Sequence, residues 1–331
     1  MSAATVAEPA ARRGPSPLRR WLLRPEAPAV LFLLAVVVLF GALTDNFLRL
    51  ANLQQILIQV STVAIIALAV NQLIIAGEID ISMGSSLGLC AVAVGTVAVA
   101  TGGLILPLLT GVAVGALIGA TNGLLVTVAR VPAIIVTLGM LYALRGVIFF
   151  VTGGASVSGI PMDARLVGRE RLFGVGYSVW LLLALLLATW FVSRHTTWGR
   201  DVYAVGGNQA AARLAGLPIA RTRFLGFVGV GVFTGLAALV YVGRTGGVQT
   251  SAGTGLELEV IAAVVLGGTS IAGGRGSVLS PVVGAVLVSA ISTGMVLLRV
   301  PATWQSAVLG ALILLAISFD GIRRRQVRGA A

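Results

Sequence analysis

The sequence predicts an all-α, polytopic membrane protein with about ten transmembrane helices. Three observations carry this. The 331 residues are 57% hydrophobic and 10% charged, with mean hydropathy +1.02, whereas soluble domains carry roughly 25% charge. The apolar residues fall in continuous windows of roughly 17–25 residues, the length that crosses a bilayer as a helix, and lack the alternation of a membrane strand. The 43 glycines fit helices whose backbones approach closely in lipid.

Residues 1–27 read as a basic tail (Arg12, Arg13, Arg19, Arg20, Arg24) leading into a first span that is retained, not a cleaved signal peptide. Candidate spans run over 29–43, 55–76, 84–101, 104–128, 132–151, 177–193, 224–243, 257–272, 278–297 and 302–318. The membrane domain is thus 28–319, and 320–331 is a second basic tail with Arg323, Arg324, Arg325 and Arg328. Ten spans put both termini on one side. All 23 basic residues are arginine, and this topology places sixteen on the terminal side and six on the other. The excess predicts cytoplasmic termini. The external cluster Arg165, Arg169 and Arg171 runs against the trend. The longest polar interruptions are 152–176, outside, and 194–223, inside. Segments 115–132 and 284–301 align without gaps, so a five-plus-five inverted repeat is a further expectation.

Several function classes are excluded. The net charge of +12 comes without a basic face interleaved with aromatics, so it orients the chain in a membrane and does not mark nucleic-acid binding. One cysteine, Cys90, and one histidine, His195, build neither a metal site nor a disulfide framework. With no lysine there is no Walker phosphate loop. No catalytic constellation exists. Neither metal nor cofactor is expected in this chain; if transport is ATP-driven, ATP and Mg²⁺ belong to a partner ATPase.

The stretch GEIDISMGS, Gly77 to Ser85, places Glu78, Asp80 and Ser82 among apolar segments. A carboxylate at membrane depth is costly unless it faces protein, water or a cavity. Glu78 and Asp80 can accept bonds from cargo hydroxyls; equally, they can cap helix starts or pair with an arginine such as Arg145, which lies within a span. Asn71, Gln72 and Asn122 are polar residues in apolar spans, fit for inter-helix bonding or cargo contact. Glu257 and Glu259 open the eighth span from outside, where they either contact an extracytoplasmic partner or satisfy a helix start, which acids favour. In the loop 194–223, Asn208–Gly216 reads as a short helix: Asn208 is the N-cap, Ala210, Ala211 and Ala212 are helix formers, and Gly216 is the stop. It is either a docking element for a soluble partner or a solvated connector. On the residues alone, a permease driven by a separate ATPase competes with an ion-coupled secondary transporter using the carboxylates.

Four motifs in order then carry a resemblance over nearly the whole chain after residue 45: GEIDISMGS (77–85), VPAIIVTLGMLYALRGVIFFVTGG (131–154), the loop around Asn208–Gly216, and GTGLELEVIAAVVLGGTSIAGGRGS (253–277). They resemble the ribose/xylose-type ABC sugar importer permeases. The loop is similar to that family's EAA-type coupling loop, with Ala210, Ala211, Ala212, Arg213 and Gly216 in its pattern and Ala210 in place of the glutamate. The resemblance implies two permeases, identical or paralogous, forming the pathway; a cytoplasmic ABC ATPase contacting the coupling loop; an extracytoplasmic solute-binding protein; and a bacterial inner-membrane location. Arg275, in the glycine-rich stretch 267–277, is either an orientation charge or a second ATPase contact. Asn71, Gln72, Glu78, Asp80, Ser82, Asn122, Arg145 and Glu257 become candidates for the pathway. A narrower likeness, in GLCAV (88–92), TGGASVSGIP (152–161) and VLLRVPATWQ (296–305), is to autoinducer-2 and rhamnose importer permeases, implying a small, uncharged, polyhydroxylated cargo.

Overall fold

The structure, a computed structural model, describes residues 26–301 and 303–315. The arginines expected in the two tails lie outside the described residues. The helices are α1 Ala27–Leu43, α2 Leu50–Ile75, α3 Met83–Thr101, α4 Ile105–Thr127, α5 Ala133–Thr152, α6 Leu166–Arg169, α7 Tyr177–His195, α8 Thr197–Gly207, α9 Gln209–Leu214, α10 Ile219–Thr245, α11 Leu256–Leu266, α12 Ser280–Leu297 and α13 Thr303–Leu315. Among the described residues, α2, α3, α4, α5, α7, α10 and α12 are long and apolar enough to cross a membrane, and α1 and α13 are shorter apolar helices. The architecture is the polytopic helical one that composition predicts. The expected eighth span, 257–272, is the exception. It is helical only to Leu266, and its 11 residues rise about 16 Å, roughly half the hydrocarbon thickness.

α2 is the centre of the bundle, with Ala64 to Leu68 wholly buried; α10 packs on it and, most extensively, on α4. Glycine makes the α4–α10 contact possible. Gly111, Gly115 and Gly119 recur every fourth residue on α4, facing Gly235, Gly231 and Phe227. A Cβ on Gly115 would collide with the Gly231 carbonyl, and one on Gly231 with the Gly115 carbonyl. Backbones therefore meet directly, the packing that small residues permit in lipid. The two segments that align in the sequence form much of α4 and α12.

The chain between α5 and α7 carries a short 3-10 turn (Asp163–Arg165), α6, and an antiparallel hairpin of β1 (Arg171–Leu172) with β2 (Val175–Gly176), in register Arg171 to Gly176. A bridge between Val157 and Val248 joins it to the α10–α11 connection. That connection then dips into the bundle along α3: Val248 lies beside Gly95, the Ala252 carbonyl beside Gly88 and the Gly253 carbonyl beside Gly84. α11 starts at that depth. The α2–α3 connection is non-helical too, so two interrupted helices meet at Gly84 and Gly253. On the opposite face, α8, α9 and the loop 267–277 sit together, the Gly274 N–H donating to the Ile75 carbonyl at 2.9 Å.

Candidate functional site

The face bearing α8 and α9 is built by capping. The Asn208 side chain accepts from the Ala211 N–H at 3.0 Å, so the expected N-cap and short helix are both present. Gly216 ends it at φ +72°, with the Gly216 and Leu217 N–H groups closing on the Arg213 and Ala212 carbonyls. Of this helix only Ala212 is buried; Ala210, Ala211 and Arg213 are exposed, and Leu214 is 90% exposed. An apolar side chain so placed is an available contact. α8 was not anticipated from the sequence. Thr196 caps it by accepting from the Gly199 N–H at 3.2 Å. Trp198 donates to the Thr222 carbonyl at 3.1 Å and Tyr203 to the Gly276 carbonyl at 3.2 Å. Burial raises the Tyr203 hydroxyl above its ordinary pKa. These bonds join α8, the loop 267–277 and the end of α2 into one block, with Arg275 exposed at its edge.

Beneath α9 lies a cavity of about 650 Å³ whose polar lining includes Glu78, Arg130, Gln209, Arg213 and Arg223. Glu78 is ion-paired with Arg223 at 2.7 Å, and Arg223 also donates to Gln209 at 3.2 Å. Burial pushes the Glu78 carboxyl above its ordinary range, and the Arg223 charge offsets this only in part. The expected alternative of a Glu78 or Asp80 pair with Arg145 is not formed. Arg145 instead donates to the Thr250 and Ala252 carbonyls at 3.1 and 3.0 Å, tethering the inward-dipping connection, whose carbonyls no helix satisfies.

Asp80 forms a second cluster. One oxygen accepts from the Ser82 N–H and hydroxyl at 2.7 and 2.6 Å; the other accepts from Asn122 at 3.3 Å. Asn122 also donates to the Ser82 hydroxyl at 3.0 Å. Asp80 is 2% exposed. It therefore organises the start of α3 against α4. Asn71 donates to the Ser277 carbonyl and accepts from Thr269, holding the loop 267–277 on α2. Gln72 is buried with neither amide atom hydrogen-bonded. Glu257 lies in the first turn of α11 against Gly84.

The structure thus brings Glu78 and Arg213 to one cavity, and joins Asp80 with Ser82 and Asn122. It leaves Asn71, Arg145 and Glu257 with other partners. Sequence reading missed Arg130, Gln209 and Arg223 as neighbours of Glu78; their position in arginine-bearing connections of the same side was the available signal. No group of three metal-ligating side chains occurs among the described residues. The arrangement links an exposed, capped helix to the α2–α3 connection through Gln209, Arg223 and Glu78.

Residues 52–317 match the family described as the permease component of the branched-chain amino acid transport system. The chain is 36% identical over 296 residues to the autoinducer 2 import system permease protein LsrC of Yersinia enterocolitica, covering 89% of this chain and 82% of that protein. It is 40% identical over 310 residues to the LsrC protein of Klebsiella pneumoniae, covering 93% and 90%. The helical spans agree with the match. The chain belongs to this permease family, as a non-catalytic membrane subunit of an ABC importer.

Proposed function

We propose that this permease imports a small, uncharged, polyhydroxylated solute of the autoinducer-2 or rhamnose kind, as one of two permeases around a shared pathway. The observation that carries the coupling is α9: a capped helix, exposed except at Ala212 and seated over the Glu78–Arg223 pair. In this reading the ATPase docks on α9 and Arg275, ATP and Mg²⁺ are held by that partner, and both termini are cytoplasmic with α9. Docking motion reaches the α2–α3 connection through Arg223 and Glu78, as rigid elements switch between packed arrangements. The second permease packs on α5, where Gly139 and Gly146 have open space beside them and Tyr142 is 74% exposed. The cargo class is supported by the named relatives, which cover most of this chain. The test is uptake of labelled autoinducer-2, rhamnose, ribose and leucine by proteoliposomes holding the permease, its ATPase and its binding protein. ATP-dependent uptake of a polyol supports the reading. Uptake of leucine alone, or uptake driven by an ion gradient without the ATPase, overturns it.

A further inference from the structure

A second cavity, of about 270 Å³, lies on the side away from α9, between α2, the end of α10 and the start of α11. Its polar wall is formed by Gln59 and Thr62 of α2, Tyr241 and Arg244 of α10, Thr254, and Glu259 of α11. Three features set it apart from a packing defect. Arg244 and Glu259 attract one another, yet no direct ion pair joins them. Opposite charges at membrane depth ordinarily close on each other to escape desolvation. Here both border a space instead. Thr62 is 3% exposed and its buried hydroxyl has no hydrogen-bond partner, and such groups ordinarily have one. Finally, the wall at 251–256 is held open by backbone that only glycine adopts readily, with Gly253 at φ +75° and Gly255 at φ +83°.

We infer that this cavity is a binding site for a small neutral polyol, holding cargo on the side opposite α9. The inference rests on the proposed cargo class. The chemistry selects hydroxyls. A carboxylate accepts two or more O–H bonds, a guanidinium donates in a planar fork, and the amide and hydroxyl groups between them do both. One polyol satisfies all of these and leaves the pair net neutral. The volume equals about nine waters at the liquid's ~30 Å³ each, which suits a five- or six-carbon molecule. Leu87 and Val63 add an apolar surface for its carbon face.

The site is tested by cysteine protection in the full permease–ATPase complex in nanodiscs. The native Cys90 is buried, so Ser251→Cys and Thr254→Cys, both exposed residues of the cavity wall, are read over a low background. Each is treated with a small charged methanethiosulfonate while autoinducer-2, rhamnose, ribose or leucine is added. A bound polyol at about ten times its Kd slows modification about tenfold, and Arg244→Gln or Glu259→Gln removes that protection. Two variants guard against misfolding of one. Protection by leucine in place of any polyol overturns the inference in favour of a zwitterion site. Unchanged modification by every solute, in a transporter that still imports a polyol, overturns this site and leaves the proposed function standing. No polyol uptake by the intact transporter overturns both.

Discussion

Arg223, at the start of α10, is ion-paired with Glu78 of the α2–α3 connection at 2.7 Å, although 145 positions separate them in the chain. Both side chains are mostly buried, at 18% and 13% exposure. The pair joins the helix that follows α9 to the non-helical connection leading into Asp80. We expect Glu78→Gln and Arg223→Gln each to lower ATP-dependent uptake. The exchange Glu78→Arg with Arg223→Glu should recover part of it, with a coupling of roughly 0.5–3 kcal/mol between the positions in a stability cycle. Additive effects of the two single changes would show that the pair is not a link.

Leu214 and Asn208 should separate docking from folding. Leu214→Asp alters an exposed apolar side chain and is expected to abolish co-purification of the ATPase while membrane insertion is normal. Asn208→Ala removes the cap bond to Ala211, costs about 1 kcal/mol of local helix stability, and should weaken co-purification less. Gly216→Pro, or deletion of 208–216, is expected to uncouple the ATPase with insertion intact. Wild-type uptake by these variants would remove α9 from the coupling path.

Asp80→Ala is expected to impair transport and thermal stability more than Asp80→Asn. Alanine strands the Ser82 N–H and one Asn122 donor in a buried site, at roughly 1–3 kcal/mol for each unsatisfied group. The Asn122 Oδ1 atom has no partner, so with Asp80→Asn it is free to accept from the new amide after an amide flip. Melting curves of both variants, and of each combined with Asn122→Ala, check this. If Asp80→Asn is as damaging as Asp80→Ala, the negative charge itself is required. The two acids have separate roles: Glu78 is ion-paired with Arg223, whereas Asp80 holds the start of α3 against α4 through Ser82 and Asn122.

Gly115→Val and Gly231→Val should prevent stable folding, because each Cβ meets the other helix's carbonyl. Gly139→Ala on α5, with nothing within 4 Å of its added Cβ, should leave detergent-solubilised stability within about 0.5 kcal/mol of wild type. Comparable loss in all three would mean that helix propensity, and not the α4–α10 approach, governs these positions.

The membrane class, most spans and the short helix after Asn208 were legible in the sequence because each depends on neighbours in the chain. Hydrophobic length, capping chemistry and glycine stops act within a few residues. Tertiary structure alone decided the partners: Arg223 for Glu78, Asn122 for Asp80, and backbone carbonyls at Thr250 and Ala252 for Arg145. It also cut the eighth span to the half-length α11 and placed Arg244 opposite Glu259. These depend on which helices lie side by side. An apolar helix in lipid carries little periodic signal for its partners, since every face is apolar and only close backbone approach and buried polar bonds choose among them.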